Sequence, residues 1–327
     1  MTDTDPGLIA LDWGTSAQRA WLLDTRGRVL DARRPDSGLL ATTEGIDTRD
    51  PRARAAAYEA AFRRACGDWL TTHPGLPAIA CGMVGSAQGW VDTGYHTVPT
   101  TLDFTALVPV THRDGVLHLV PGLRLPSGDT PGDVIRGEET QLVGILDVLG
   151  DPGEPFTVVL PGTHSKWVRI DGGAVTGFAT AMSGELYGLL TAHGILARTA
   201  AEPVRDDAAF ARGLAAGRRS RGLAAELFGA RPLVLDGALE PGSLPDYLSG
   251  VLIGDEVANL SSASDTRVVL CGTADLCRRY AAALADRGVE AAVLTEEVTA
   301  RGLWRIAAAA GLLRPQDKER LERTPKP

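Results

Sequence analysis

The stretch Leu8-Ile9-Ala10-Leu11-Asp12-Trp13-Gly14-Thr15-Ser16 decides the fold. An apolar run ends on the acid Asp12, a glycine and two hydroxyl residues follow, and an apolar segment returns over residues 18–23. Because glycine lets the backbone bend sharply, this order predicts two antiparallel strands joined by a tight turn. The backbone N–H groups of such a turn, with the hydroxyls of Thr15 and Ser16, suit phosphate oxygens, and Asp12 suits a hydrated Mg²⁺ ion. The alternative at this point is an ordinary hairpin with a polar tip.

Length and composition predict a soluble protein of two domains. The chain has 327 residues, more than one ordinary core accommodates, and 44% of them are hydrophobic and 23% charged. A net charge of −8 disfavours nucleic acid as the main partner, although a local basic pocket still suits an anionic small molecule. The four cysteines form no C-x-x-C pair, which is typical of reduced thiols in the cytoplasm.

Several common sites and segments are absent from the sequence. The acidic N-terminus lacks a signal-peptide pattern and no apolar run is long enough to span a membrane, so we expect a cytoplasmic protein without a membrane partner. The six histidines form no H-E-x-x-H pair, which disfavours a zinc site. The motifs G-x-x-x-x-G-K-[ST], G-x-G-x-x-G and G-x-S-x-G are also missing, which disfavours P-loop, Rossmann and α/β-hydrolase proteins.

The pattern of the opening stretch recurs in the second half of the chain. An apolar run over residues 156–160 meets the turn Pro161-Gly162-Thr163-His164-Ser165, and a strand containing Trp167 follows. Internal similarity at so long a spacing indicates two related halves rather than a short repeat. A third turn, Gly272-Thr273, ends another apolar run and enters a helix. If the halves face each other, the first two turns hold a polyphosphate from opposite sides and the third lies near the nucleoside, as phosphoryl transfer requires.

Two further stretches carry groups suited to a substrate site. An apolar strand runs into the glycine-rich loop Gly82-Met83-Val84-Gly85-Ser86, in which the spacing of the glycines indicates close approach of the backbone to another group. Trp90 follows, either as a stacking group or as part of the core. A helix beginning near Gly137 has Glu138 and Glu139 in its first turn. Carboxylates there either interact favourably with the positive end of the helix dipole or act as a general base.

These residues resemble the 2-dehydro-3-deoxygalactonokinase family, in the actin, hexokinase and heat-shock-ATPase superfamily. The strings that carry the resemblance are Asp12-Trp13-Gly14-Thr15 with Arg19-Ala20-Trp21, Gly82-Met83-Val84-Gly85-Ser86 with Gly89-Trp90, Arg136-Gly137-Glu138-Glu139-Thr140-Gln141, Leu160-Pro161-Gly162-Thr163-His164-Ser165-Lys166-Trp167-Val168, and Gly184-Glu185-Leu186. The resemblance implies an α/β fold of two related ribonuclease-H-like domains of the actin/hexokinase type, with a nucleotide cleft between them. It implies ATP-dependent phosphorylation of the 6-hydroxyl of 2-dehydro-3-deoxy-D-galactonate, in galactonate catabolism.

The resemblance also implies that the two halves of the chain contain different parts of the site. The Pro- and Gly-rich stretch 151–155 is the strongest linker signal, so we expect domains at 1–150 and 151–327. The first would contain the first phosphate hairpin and most of the sugar-acid site, and the second the other hairpin and the adenosine site. We expect the last helix, about 299–313, to pack back on the first domain. The oligomeric state is open, with a homodimer among the options.

The resemblance assigns an expected role to each site residue. ATP and its phosphates would be bound by Asp12, Gly14, Thr15, Ser16, Gly162, Thr163, Ser165, Lys166, Gly272 and Thr273, with Mg²⁺ held by Asp12 through water. The sugar acid would be bound by Arg19, Gly82, Met83, Val84, Gly85, Ser86, Trp90 and Arg136. Many superfamily members have an acid near the second phosphate loop, whereas this chain has Pro161 before Gly162. The general base is therefore expected to be Glu139 or Glu138, with Asp133 in reserve.

Alternatives remain for single residues and for the function. Lys166 either neutralises phosphate charge or is a solvated strand residue, and His164 suits a hydrogen-bonded turn better than catalysis. The alternative functions are a kinase of the same fold for another sugar or sugar acid, and a non-catalytic sugar- or ATP-binding regulator. Preference between the galactonate- and gluconate-derived epimers depends on how the pocket meets one hydroxyl.

Overall fold

The fold is described from a computed structural model that covers residues 5–129, 131–150, 153–219, 221–261, 267–294 and 298–313. The chain divides into two compact units. Unit 1 comprises Met1–Gly153, Gly172–Thr176 and Glu296–Pro327, and unit 2 comprises Glu154–Asp171 and Gly177–Thr295. Asp151 and Pro152 of the predicted linker lie outside the described residues. Residues 298–313 therefore belong to unit 1 together with residues of the first half of the chain, whereas the sequence-based division was made at residue 150.

Unit 1 is built on a six-stranded sheet in the order β3-β2-β1-β4-β8-β7. The strands of unit 1 are β1 (Pro6–Trp13), β2 (Gln18–Asp24), β3 (Val29–Arg33), β4 (Ala78–Gly82), β5 (Tyr95–Thr97), β6 (Thr100–Thr101), β7 (Val108–His112), β8 (Gly115–Leu119), β9 (Gly122–Leu125) and β10 (Asp133–Ile135). Strands β1 to β3 form an antiparallel meander, while β4 runs parallel to β1 and β8 runs parallel to β4. A smaller sheet has the order β10-β9-β5.

The helices of unit 1 cover the main sheet. They are α1 (Leu39–Thr43), α2 (Pro51–Thr72), α3 (Glu138–Leu149) and α10 (Val298–Ala309). Apolar side chains of α2, among them Tyr58 and Phe62, pack with Trp13 of β1 in a continuous core. Asp50 begins α2 by accepting a hydrogen bond from the Arg52 amide, and Pro51 occupies the first helical position, as expected for a helix start.

Unit 2 repeats the topology of unit 1 with its own strands and helices. They are β11 (Phe156–Leu160), β12 (Ser165–Asp171), β13 (Ala174–Ala181, of which residues 177–181 belong to unit 2), α4 (Ser183–Ala192), α5 (Gly194–Ala197), α6 (Asp207–Arg218), α7 (Leu223–Leu235), α8 (Leu244–Leu260), β14 (Val268–Cys271), α9 (Ala274–Ala285) and β15 (Ala291–Leu294). The sheet order is β15-β14-β11-β12-β13, with β11 antiparallel to β12 and parallel to β14. The predicted α/β fold with an internal duplication is confirmed, because each half is a meander followed by parallel strands.

Glycines allow two pairs of helices to pack backbone against backbone. In unit 1, a Cβ added at Gly302 of α10 would lie 2.0 Å from the carbonyl oxygen of Thr140 in α3. In unit 2, a Cβ at Gly213 of α6 would lie 2.1 Å from the carbonyl oxygen of Tyr247 in α8. Both distances are far below van der Waals contact, so these helices approach closely only because a side chain is missing. The first turn of α3 and the whole of α8 are held in place by these contacts.

The Ala- and Arg-rich segment from Asp206 to Phe228 is divided between α6 and α7. Gly222 before α7 has φ +109°, which favours glycine and ends helical geometry. Among the described residues, no helix has the length and apolar character needed to cross a bilayer.

Candidate active site

The Asp12 carboxylate lies where β1 ends, beside the end of the parallel strand β4. Asp12 is paired with Cys81 in the sheet register, and its Oδ1 lies 3.9 Å from the Cys81 Sγ. Arg19, opposite Asp12 on β2, donates from Nη2 to Asp12 Oδ2 at 2.6 Å. The Asp12 side chain is 18% exposed and the Arg19 side chain 20%, so this ion pair is accessible from solvent. The arrangement leaves Asp12 Oδ1 as the oxygen that does not accept from Arg19.

The turn after Asp12 presents two amides outward. The Gly14 amide donates to the Ala17 carbonyl at 2.9 Å, and the first amides of α1 donate to the carbonyls of Gly14 and Thr15. Thr15 and Ser16 are exposed, and their amides have no acceptor in the described part of the chain. A Cβ at Gly38 would lie 2.4 Å from the Ser16 carbonyl carbon, so α1 supports the turn from directly beneath. An anion can be bound by amides arranged in this way.

The predicted substrate loop also reaches Asp12. Gly82 has φ +90°, and a Cβ there would lie 2.7 Å from the Trp13 carbonyl oxygen and 3.4 Å from Asp12 Oδ1. A short 3₁₀ turn, Met83–Gly85, follows, and Ser86 closes it by donating from its amide and its hydroxyl to the Met83 carbonyl. Glycine is therefore required at residue 82 by both conformation and space. Val84 and Gly85 are buried, while Met83 is half-buried.

The start of α3 completes the cluster in unit 1. Gly137 has φ +101°, and a Cβ there would lie 3.3 Å from the Gly82 Cα. Glu138 is half-buried and its Oε2 accepts from the Arg136 amide at 2.9 Å. Glu139 is completely buried, and its oxygens accept from the Gly137 amide at 2.6 Å and the Thr140 hydroxyl at 3.0 Å. The two predicted acids therefore differ in environment, since only Glu138 reaches solvent.

Burial changes the acid–base properties of this cluster. Desolvation and the neighbouring Glu138 carboxylate raise the pKa of Glu139 to about 8, so Glu139 is mostly protonated at neutral pH. Burial likewise raises the pKa of the Cys81 thiol well above its usual value, and the carboxylates of Asp12 and Glu139 raise it further. Both groups are thus neutral near pH 7, and Asp12 is the acid of this cluster that pairs with an arginine.

The raised pKa of Glu139 predicts a specific pH dependence of stability. The native protein keeps a proton on Glu139 that the unfolded chain releases between the ordinary pKa of 4.5 and about 8. The stabilisation that this proton gives the native state is present in full below the ordinary pKa of 4.5, and it is lost as the pH rises through about 8. Relative to Glu139→Gln, the wild-type free energy of unfolding should therefore fall by up to about 1.4 kcal/mol per pH unit in this window.

Urea unfolding at pH 5, 6.5 and 8 measures this difference. The exposed Glu44→Gln serves as a control with the same chemical change and no burial, and its curve should run parallel to wild type. Parallel curves for Glu139→Gln as well would contradict the assignment of a protonated, buried Glu139.

Three other predicted site residues of unit 1 are Arg136, Trp90 and Asp133, of which the first two are shielded from solvent and the third lies on β10. The Arg136 side chain is 4% exposed, donates to the Thr93 hydroxyl and the Gly94 carbonyl, and lies 4.4 Å from the Tyr95 ring centroid. Trp90 is 5% exposed and packs in the core, a location that favours packing over substrate contact. Asp133 is half-buried on β10, and its Oδ1 accepts from the Val134 amide.

The second phosphate turn, in unit 2, packs against the start of α4. Gly162 is half-buried, and an added Cβ there would have no neighbour within 4 Å. A Cβ at Gly184, by contrast, would lie 2.2 Å from the Gly162 carbonyl oxygen, and the Glu185 amide donates to the Thr163 carbonyl at 2.9 Å. The exposed His164 pairs through Nε2 with Glu185 Oε2 at 2.5 Å. Thr163 is exposed, so the turn is held from one side and open above Gly162 and Thr163.

Two predicted phosphate ligands in this turn are buried. Ser165 has no exposed surface, and its hydroxyl lies 2.8 Å from the Tyr280 hydroxyl. Lys166 is 5% exposed, and its Nζ donates to the His164 carbonyl at 2.7 Å. The interpretation of Lys166 as a solvated strand residue is thus wrong. In this arrangement both side chains support the turn from within unit 2, and phosphate contact by either remains a prediction.

The third turn lies beside the second. A Cβ at Gly272 would lie 3.2 Å from the Pro161 carbonyl oxygen. Thr273 is exposed at the N-cap of α9, and its carbonyl accepts from the Cys277 amide. Unit 2 therefore brings together the Gly162 and Gly272 turns that the sequence separates by more than 100 residues.

Acidic side chains are the expected ligands of a magnesium ion. Within the described residues, no group of three or more His, Cys, Asp or Glu side chains is arranged to hold a metal ion. Mg²⁺ is usually held by one or two carboxylates, with water and substrate phosphates as the other ligands. The Asp12 side chain, which is 18% exposed, is suited to such a contact.

Sequence reasoning missed two features of the site. The pairing of His164 with Glu185 joins the phosphate turn to α4, and the buried carboxylate Glu256 of α8 accepts from Trp167 in β12. The signal for Glu256 was an acid within the mostly apolar stretch of the helix Leu244–Leu260, where a buried carboxylate requires hydrogen-bond partners.

Comparison with known proteins gives a consistent result along the chain. A family model described as 2-keto-3-deoxy-galactonokinase matches residues 12–306. A Rhizobium meliloti (strain 1021) protein named "Probable 2-dehydro-3-deoxygalactonokinase DgoK1" is 36% identical over 92% of this chain and 96% of its own, and the 2-dehydro-3-deoxygalactonokinase of Escherichia coli (strain K12) is 31% identical over 92% and 97%. A crystal structure of a candidate 2-dehydro-3-deoxygalactonokinase from Sinorhizobium meliloti has a TM-score of 0.79 at 32% identity, covering 93% of this chain and 98% of that one.

Proposed function

The chain belongs to the 2-keto-3-deoxy-galactonokinase family, and we propose from this that it transfers the γ-phosphoryl group of ATP to the 6-hydroxyl of 2-dehydro-3-deoxy-D-galactonate. As a member of this family it is a carbohydrate kinase acting in galactonate catabolism. The products are the 6-phosphate and ADP. The hydroxyl oxygen forms a bond to the γ-phosphorus, the bond from that phosphorus to the β–γ bridging oxygen breaks, and the hydroxyl proton goes to a carboxylate.

One observation in unit 1 supports the proposal above all others. The accessible Asp12 carboxylate, the Gly82 turn and the start of α3 meet at the carboxyl ends of two parallel strands. The contacts that bring them together depend on glycines at residues 82 and 137, whose φ angles are positive. Ligands of open α/β sheets characteristically bind at such strand ends. The cluster combines an acid for a hydrated cation with a second acid for a proton, which are the groups that phosphoryl transfer needs.

We propose Glu138 as the general base. Glu138 is half-buried and therefore accessible to a sugar hydroxyl, whereas Glu139 is fully buried and its pKa of about 8 keeps it protonated. The Arg136 amide orients the Glu138 carboxylate by donating to Oε2. Asp133 is the less favoured candidate, because it lies on β10 rather than at the start of α3. A carboxylate suffices as base, since the transition state is loose and the proton leaves late.

We propose that the turns bind the nucleotide. The amides of Thr15 and Ser16 in unit 1, and the Gly162–Thr163 turn in unit 2, would donate to phosphate oxygens. The exposed Gly272-Thr273 turn would contact the adenosine. Asp12 would hold Mg²⁺ through water, and the ion when bound would neutralise charge on the phosphates. Arg19 pairs with Asp12 and keeps its carboxylate in place.

The substrate carboxylate requires a cation or a group of amides. Arg19 is the more accessible candidate, because its side chain is 20% exposed while that of Arg136 is 4% exposed and engaged with Thr93 and Gly94. Arg136 would then act by fixing the loop beside the site. We place the reaction in the cytoplasm, since the four cysteines are buried and form no C-x-x-C pair.

An enzyme-coupled ADP assay tests the function. ADP should form with 2-dehydro-3-deoxy-D-galactonate and not with a neutral sugar of similar size, and comparison with the gluconate-derived epimer measures the selectivity. ADP formation with the neutral sugar alone would indicate a kinase for another substrate. Binding of ATP without turnover of any sugar or sugar acid would indicate a non-catalytic regulator.

Gly162→Ala provides a separate test of the phosphate turn. The new methyl group would meet no protein atom within 4 Å, so we expect a Tm close to wild type. If phosphate oxygens approach the backbone here, the methyl group blocks them and the KM for ATP should rise about tenfold or more. Gly177→Ala is the matched control, because its added Cβ is equally free of neighbours and it lies on β13. An unchanged KM for ATP in Gly162→Ala would exclude close phosphate approach at this turn.

A further inference from the structure

A network of polar side chains joins four elements of unit 2, which are α8, β12, α9 and α4. The Glu256 carboxylate of α8 accepts from Trp167 Nε1 at 2.7 Å and from the Tyr280 hydroxyl at 2.8 Å. The Tyr280 hydroxyl lies 2.8 Å from the Ser165 hydroxyl, and Ser183 also hydrogen-bonds to Glu256. Glu256, Tyr280, Trp167 and Ser165 are each at most 4% exposed. No substrate reaches these groups, so their role is exerted through the elements that carry them.

The three elements that bond to Glu256 of α8 each begin beside a proposed nucleotide contact. Strand β12 starts at Ser165, directly after the Gly162–Thr163 turn. Helix α4 starts at Ser183 and packs on that turn through Gly184. Helix α9, which contains Tyr280, follows the Gly272-Thr273 turn. A single carboxylate thus receives hydrogen bonds from the three elements that determine where both turns of unit 2 lie.

The centre of the network must accept hydrogen bonds from two donors. Trp167 Nε1 donates only, and the Tyr280 hydroxyl donates to Glu256. A carboxylate accepts several such bonds at once, whereas an amide in its place presents one accepting oxygen and one donating nitrogen. Buried networks of this kind restrict the geometry of the elements they join when every member is satisfied.

We propose that Glu256 is a positioning residue for the nucleotide turns of unit 2. The inference rests on the proposed function, because it assumes that these turns bind ATP. Glu256 keeps the Gly162 and Gly272 turns in the spacing that ATP requires, while the sugar-acid groups of unit 1 are unaffected. Loss of Glu256 therefore weakens ATP binding selectively.

Calorimetric titration with a non-hydrolysable ATP analogue, together with steady-state kinetics, tests the proposal. Glu256→Gln should raise the Kd for the analogue and the KM for ATP by about tenfold, with the KM for the sugar acid within about twofold of wild type. Tyr280→Phe keeps the ring and removes the hydroxyl that bonds to Glu256 and Ser165, and Trp167→Phe removes the indole N–H that donates to Glu256. Both variants leave the carboxylate in place and should give smaller shifts in the same direction. They also keep the test decisive if Glu256→Gln does not fold.

Ile253→Ala is the control on the same helix. Ile253 is buried in the apolar core beside α8 and takes no part in the hydrogen bonds of the network, so its truncation should lower Tm without a selective change in ATP affinity. Wild-type ATP affinity in Glu256→Gln, Tyr280→Phe and Trp167→Phe would overturn the positioning role and leave the kinase assignment intact. A wild-type protein that binds no ATP analogue would overturn the proposed function and this inference together.

Discussion

The Asp12→Asn variant is expected to lose about 10²–10³-fold in kcat while its KM for the sugar acid stays within about threefold of wild type. The substitution keeps the size of the side chain and removes its charge. An amide at this position attracts a hydrated divalent cation less strongly and pairs less well with Arg19, whose Nη2 lies 2.6 Å from Asp12 Oδ2. The Mg²⁺ concentration needed for half-maximal activity should also rise, which steady-state assays over a Mg²⁺ series measure.

Asp31→Asn is the matched control for this prediction. Asp31 lies on β3 of the same sheet, pairs with Arg33 and has a side chain that is 48% exposed. The variant carries the same change of charge without approaching the cluster at the end of β1, and it should retain wild-type kinetics. A kcat within fivefold of wild type for Asp12→Asn at every Mg²⁺ concentration would remove Asp12 from the metal role.

The Glu138→Gln variant should lose about 10²–10⁴-fold in kcat, with the KM for ATP nearly unchanged. Its amide occupies the same half-buried place at the start of α3 but accepts no proton from the sugar hydroxyl. Glu139→Gln discriminates between the adjacent acids. Because Glu139 is buried and protonated, neutralising it should lower kcat by less than about tenfold and alter mainly the pH dependence of stability.

Asp147→Asn controls for disturbance of α3. Asp147 pairs with Arg301 and Arg305 of α10, so the variant should reduce stability and leave kcat close to wild type. The opposite ranking of the two glutamates, with Glu139→Gln inactive and Glu138→Gln active, would assign the base to Glu139. Activity in both would direct attention to Asp133→Asn.

The sequence predicted the features of the fold that depend on local order. The Gly14 and Gly162 turns follow apolar strands and precede returning strands, and the structure has β1–β2 and β11–β12 at these places. The sequence also indicated close backbone approach in the Gly82 loop and a helix start near Gly137, and the structure gives both glycines positive φ angles and places them in contact beside Asp12. Glycine is informative in a sequence because few other residues satisfy such geometry.

Side-chain environment was harder to predict than backbone. Ser165 follows a phosphate turn in sequence, yet its hydroxyl is directed to Tyr280, more than 100 residues away. Trp90 lies in the core because Tyr58 and Phe62 of α2 pack around it. Strand residues alternate between faces, but which face is covered depends on helices that come later in the chain. The same dependence on distant partners hid the role of Glu256.

The contact of α10 with α3 has a consequence for synthesis of the chain. About 150 residues separate the end of α3 from the start of α10, and unit 2 lies between them. At ordinary rates of translation, α3 therefore waits about 8–30 s before the helix that covers its Gly144 side emerges from the ribosome. The described strands of unit 2 all precede α10 in the chain, whereas the Gly144 side of α3 is covered by α10 itself. A chain truncated before α10 would therefore keep every described strand of unit 2 and leave that side of α3 in unit 1 uncovered.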